Sequence, residues 1–288
     1  MKTLITACTH ALDTIEAFWH SETTHKTVSY LLVIIFLASL VLIEFNRHGM
    51  LPGMLAAHVS HSHFMAINIA FLLVLFLEII TMIFTLPDSM SKALGKQFEI
   101  LALIFLRNAF KQLSDLPEPV SLAHHADVVY HIFAYGFGSL AIFGLLGCYR
   151  MMLTRLDKTM PPGSYLNQFI LAKKTVAFCM LWVFFAMGIY DLWLKIQGMT
   201  GFNFFQSFYT VLIFSDILMV FLAQIFLPQF HAVFRNSGYA LATLLIRLSL
   251  TASVYYSVAI GLSSVVFALL LTIIYNQFYS HSLHDHWS

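Results

Sequence analysis

The feature that most constrains this chain is a succession of apolar runs, each about as long as the hydrocarbon core of a bilayer is thick. A helix rises about 1.5 Å per residue, so about 20 mostly apolar residues cross the roughly 30 Å of lipid. That rule picks out segments near 28–45, 63–86, 97–113, 128–148, 172–194, 205–228, 238–256 and 258–278. The sequence therefore predicts an all-α, polytopic membrane protein of about eight transmembrane helices, with the lipid bilayer as its partner. Hydrophobic residues make up 59% of the chain and charged residues 10%, and the mean hydropathy is +0.81. A soluble domain carries roughly a quarter charged residues. A net charge of +1 supplies no basic field for nucleic acid. The third segment is the most polar, with Lys96, Glu99, Arg107 and Lys111, and seven spans result if it is re-entrant.

Lys and Arg in short loops set orientation. Arg150, Arg155, Lys158, Lys173 and Lys174 cluster in one connection, which is therefore expected on the cytoplasmic side. Counting outward puts both termini inside and loops 46–62, 114–127 and 195–204 outside. Residues 1–25 hold charges among apolar positions and no signal-peptide core, so they read as an amphipathic lead-in helix. Pro161-Pro162-Gly163-Ser164 punctuates the cytoplasmic linker 149–171. It separates two membrane units, 26–148 and 172–278, and a histidine-containing tail, 279–288, follows.

The two units match in order. "KTVSYLLVIIF" at 26–36 echoes "KTVAFCMLWVF" at 174–184, and Glu44 corresponds to Asp191. Glu78 in "VLFLEIITMIF" corresponds to Asp216 in "VLIFSDILMVF", and Arg107 to Arg247, with acid-to-arginine separations of 29 and 31 residues. Rare intramembrane charges recurring in one order point to a duplication. Four spans per unit give the repeats the same orientation, a parallel arrangement. By helix depth each acid is expected to pair with the arginine of the following helix, which relieves the several kcal/mol that a lone buried charge costs. Glu44, Glu99 and Asp191 are further buried or interfacial charges. Lys96 and Glu99 have no charged counterparts, since Asn236 and Tyr239 stand there.

Histidines gather at the expected outer face of the first unit: His58, His61, His63, His124, His125 and His131. Imidazole binds transition metals and titrates near neutral pH, so a zinc or copper site or a proton sensor is one reading and ordinary interfacial loops the other. The tail's His281, His284 and His286 repeat the pattern in a terminus. Cys8, Cys148 and Cys179 form no CxxC and suggest neither a disulfide framework nor a thiolate site. No P-loop, GxSxG or HExxH occurs, and no enzyme is predicted.

The stretch "FYTVLIFSDILMVFLAQIF", followed by "RNSGYALATLLIRLSL" and a last apolar helix, resembles the phosphate-starvation-inducible E family of small bacterial membrane proteins. The resemblance covers about 110 residues of the second half and, more faintly, the first. It implies two fused four-helix units, a bacterial inner (plasma) membrane location and a stress-related role, and it carries over no biochemical activity. Two functions follow from the charges. One is conduction of a small ion or proton along a path lined by the acid/arginine pairs, in a single chain or a homo-oligomer. The other is a non-conducting regulatory or scaffold protein in which the pairs are clamps.

Overall fold

The structure is a computed structural model that describes residues 2–50, 52, 62–116, 125–153, 164–199, 201–226 and 229–282. His58, His61, His124, His284 and His286, the side chain of His281 and the Pro161-Pro162-Gly163 punctuation lie outside the described residues. Every regular element among the described residues is helical. In chain order these are α1 (Lys2–Trp19), α2 (Glu22–Arg47), α3 (Phe64–Phe84), α4 (Met90–Lys111) with a 3-10 turn after it (Gln112–Asp115), α5 (Ala126–Leu153), α6 (Ser164–Ile196), α7 (Phe204–Phe226), α8 (Phe230–Thr251) and α9 (Val254–Ser282).

Local chemistry sets the ends. Ser21 starts α2 early, at Glu22, because its hydroxyl accepts from the Thr24 amide at 3.2 Å. Gly49, at φ 67°, ends the helix: the Met50 amide reaches Phe45 O and the Gly49 amide reaches Asn46 O. α6 ends the same way at Gly198, at φ 73°, with Met199 N to Leu194 O and Gly198 N to Lys195 O. Both are Schellman caps, which need the left-handed conformation that glycine adopts without strain. α2 and α6 therefore stop on the same device.

Among the described residues six helices are long and apolar enough to cross a membrane: α2, α3, α5, α6, α7 and α9. The other two of the expected eight segments fold as α4 and α8, and both carry too many polar groups for that description. Each buries one face at the centre of the bundle and leaves another exposed, with Leu103, Leu106 and Phe110 outside on α4 and Phe234, Leu241 and Leu248 on α8. α4 packs on α5, α3 and α8, while α8 packs on α9, α7 and α4, and α5 lies against α9. Phe98, Leu101, Phe105, Tyr239, Ile246 and Val265 make the core where these four helices meet. Close approach is enforced by glycine: a Cβ on Gly138 would sit 2.7 Å from Val258 Cγ1, and one on Gly238 would sit 2.4 Å from Leu271 Cδ2. Small residues at such crossings are how helices gain contact where lipid offers no hydrophobic drive.

Several boundaries differ from the sequence reading. α4 begins at Met90 and not near 97, because its charged first turns lie at the helix end, where Lys92, Lys96 and Glu99 find polar surroundings. α8 and α9 start at Phe230 and Val254, eight and four residues early. The 149–171 linker contracts to 154–163, since α5 runs to Leu153 and α6 starts at Ser164. Tyr149 fixes the end of α5 by donating to Ser91 O at 2.9 Å. Lys173, counted among the charges of the cytoplasmic connection, is buried in α6: its Nζ donates to Asp88 O at 2.7 Å and lies 4.6 Å from the Phe169 ring centre. The lead-in segment forms α1, packed on α6 with Leu12 in the core, Lys174 bonded to Asp13 at 2.5 Å, and Trp19 Nε1 donating to Thr81 at 3.1 Å.

Candidate functional site

Both acids lie beside the arginine of the next helix. Glu78 of α3 and Arg107 of α4 form an ion pair, and Arg247 Nε of α8 lies 3.6 Å from Asp216 Oδ2 of α7. The second separation is too long for a hydrogen bond and acts through charge. Thr243, one turn before Arg247, sits beside the Asp216 carboxylate.

The pairs differ in access to the surface. The Arg247 side chain is fully buried and that of Asp216 is 7% exposed. Arg107 is 26% exposed, and together with Glu78 it lines a cavity of about 230 Å³. Asn68, Asn108 and Lys111 supply the polar part of the wall, and Phe71, Leu75 and Phe205 supply apolar parts. Lys111 is the last residue of α4 and Asn68 lies in the second turn of α3, so the cavity runs from the end of the helices marked by His63 down to Glu78. Glu78 Oε2 has no hydrogen-bond partner among the described residues.

A contact also runs from α8 to α3, which the sequence reading missed. Arg247 Nη1 lies 3.0 Å from the sulfur of Met82, one turn beyond Glu78 on α3. Tyr209 of α7, two turns before Asp216 and buried, interacts with both Glu78 and Arg247. Met82 thus ties Arg247 to the helix that carries Glu78. Neither residue type stands out in a chain with 13 Met and 12 Tyr.

The remaining charges are paired locally. Glu99 binds Lys96 at 2.8 Å and forms an ion pair with Arg150 of α5. Buried Asp191 takes Lys195 at 2.6 Å, within one turn of α6. Glu44 is half exposed and accepts from His48 at 3.0 Å and from His63 at 2.8 Å, tying the end of α2 to the start of α3. Arg47 approaches the other nitrogen of His63 at 3.3 Å. His48 had no place in the sequence reading, although its i,i+4 spacing from Glu44 on a helix could have marked it.

The expected histidines do not assemble among the described residues. His63 sits with Glu44, His131 Nδ1 lies 3.2 Å from Gln112 Oε1 with its ring edge-on to Tyr255, and His125 precedes α5. No group of three or more His, Cys, Asp or Glu among the described residues is arranged to hold a metal ion. Comparison with known proteins finds no matching family model, no matching curated protein and no matching solved structure.

Proposed function

We propose that this integral membrane protein takes up and passes a proton or small cation at Glu78, entering through the cavity lined by Asn68, Asn108 and Lys111, while Asp216 and Arg247 act as a structural clamp. The observation that carries this reading is the unequal access of two otherwise matching pairs: one lines a cavity that opens toward a helix end, and the other is sealed. An intramembrane carboxylate with a polar approach is the usual element of an ion or proton path. Glu78 is already held by Arg107, so a proton, which needs no coordination shell, fits the site best. The alternative of a purely regulatory protein draws on the dry pair alone.

The same reading includes the duplication. Matching helices meet across the two units, α4 on α8 and α5 on α9, and matching Schellman caps close α2 and α6. Eight crossings then follow, with the polar faces of α4 and α8 turned toward each other and toward their apolar neighbours, and their exposed leucines and phenylalanines toward lipid. The resemblance of the second half to the phosphate-starvation-inducible E family fits placement in a bacterial inner membrane with both termini cytoplasmic.

The test is flux through liposomes containing purified protein, for H⁺, Na⁺ and K⁺ in turn, paired with thermal melts. Wild type is expected to carry protons, Glu78→Gln to lose the flux while remaining folded, and Asp216→Asn to melt earlier with flux per folded molecule preserved. No flux for any of these ions in wild type, or undiminished flux in Glu78→Gln, overturns the proposal.

A further inference from the structure

A second cavity, of about 280 Å³, lies at the other end of α3. Its walls come from the end of α1, the link after α3, the first turns of α4 and the last turn of α5. Lys92 and Lys96 of α4 and Arg150 of α5 line it, as do Glu16, His20 and Asp88 on the side of α1 and the link. Glu99 is not in the lining, yet it holds Lys96 and Arg150 together from behind. Two cations are thereby fixed side by side at one wall. Burial pushes the Glu16 and Asp88 carboxyls above their ordinary range, against the pull of His20 on the first and of Lys173 and Lys92 on the second. Carboxylates in that state still gain from an added cation.

The position of the cavity narrows the ligand. α1 keeps Leu12 in the core and leaves Phe18 69% exposed, the disposition of an amphipathic helix lying along a membrane surface. A cavity roofed by such a helix, at the ends of membrane-crossing helices, sits at the depth of lipid headgroups. Phosphate matches a fixed Lys and Arg pair, the guanidinium with its planar fork and the ammonium as a point charge. A primary ammonium brings three donors to the two carboxylates.

We propose that this cavity binds the headgroup of a zwitterionic phospholipid with a primary amine, its phosphate against Lys92, Lys96 and Arg150 and its ammonium between Glu16 and Asp88. A choline headgroup carries the charge without N–H donors, and a glycerol headgroup carries no positive charge, so both are poorer ligands. The inference is independent of the Glu78 reading, since the two cavities share no lining residue.

Lipid retention by the full-length protein in detergent, read by native mass spectrometry with melting temperature alongside, tests the site. The probes are phosphatidylethanolamine, phosphatidylcholine, phosphatidylglycerol and soluble phosphoethanolamine. The expected result is retention of phosphatidylethanolamine about tenfold stronger than of the other two lipids, the scale of one charge-assisted hydrogen bond. Glu16→Gln with Asp88→Asn is expected to abolish that preference while keeping phosphatidylglycerol binding, and Lys92→Ala with Lys96→Ala to weaken all phosphate-bearing probes. Soluble phosphoethanolamine competing as well as the lipid supports the same chemistry with a free metabolite as its source. Equal retention of the three lipids in wild type, or a preference that survives Glu16→Gln with Asp88→Asn, overturns the proposal.

Discussion

Arg247 donates toward the thioether of Met82 across 165 residues of sequence, at 3.0 Å, while the same guanidinium faces Asp216 at 3.6 Å. One fully buried cation therefore links α8 to both α3 and α7. Truncating it strands Asp216 in a dry interior, at a cost of about 3–5 kcal/mol. Arg247→Ala is expected to lower the melting temperature more than the combined Asp216→Asn and Arg247→Gln, which leaves no charge behind. Comparable melts for the two variants would show that Asp216 is already solvated or neutral.

The cavity above Glu78 makes a prediction about water. In a chain whose native cysteines are replaced by serine, Asn108→Cys should react with a membrane-impermeant maleimide added on one side of the membrane only. Thr243→Cys, beside the sealed pair, should stay unreactive from both sides. An unlabelled Asn108→Cys would leave Glu78 without an aqueous route.

Helix crossings give a sharper test of packing. Gly138 and Gly136 lie two residues apart on α5, yet only Gly138 has a neighbour within reach of an added methyl group, Val258 of α9. Gly138→Ala should destabilise by about 1–3 kcal/mol, the usual cost of overpacking. Gly136→Ala should be neutral or slightly stabilising, because alanine is the better helix former. Equal melting of the two variants would place the α5–α9 contact elsewhere.

Asp88 predicts a pH dependence with a definite sign. Burial raises its carboxyl pKa, so the folded chain holds that proton to a higher pH than the unfolded chain does. The folded state is then favoured below the ordinary aspartate value of about 3.9, and that advantage is lost as pH rises through the raised native value. In lipid-free detergent the melting temperature of wild type should fall relative to Asp88→Asn as pH is raised from about 4 toward neutrality. Parallel curves for the two proteins would contradict the burial of this group.

Legibility varied with the rarity of the signal. Apolar runs marked each helix because few soluble patterns sustain about 20 such residues. Glu78, Arg107, Asp216 and Arg247 stood out because charge is scarce there. The first turns of α4, Met90 to Gly95, were missed because Lys92 looks like a loop residue until the cavity that receives it is seen. Buried Lys173 was read as a loop charge for the same reason, since its partner is a backbone carbonyl that no pattern announces. Met82 and Tyr209 were illegible because a junction between distant helices depends on how they pack, and both residue types are ordinary in such helices. The matching caps at Gly49 and Gly198 were readable, as each precedes a methionine, but a lone glycine after a helix draws no notice among 13.

The placement of α4 and α8 at the centre of the bundle has a consequence for how the chain is made. A charged side chain within an inserting helix is costly without a partner, and Arg107 and Arg247 each stand in the last turns of their helix. In both pairs the acid is encoded before the arginine, on the helix just upstream. Synthesis from the N-terminus therefore presents each counter-charge before its cation. The Met82–Arg247 contact must wait for α8, so it forms only after both acids have been made.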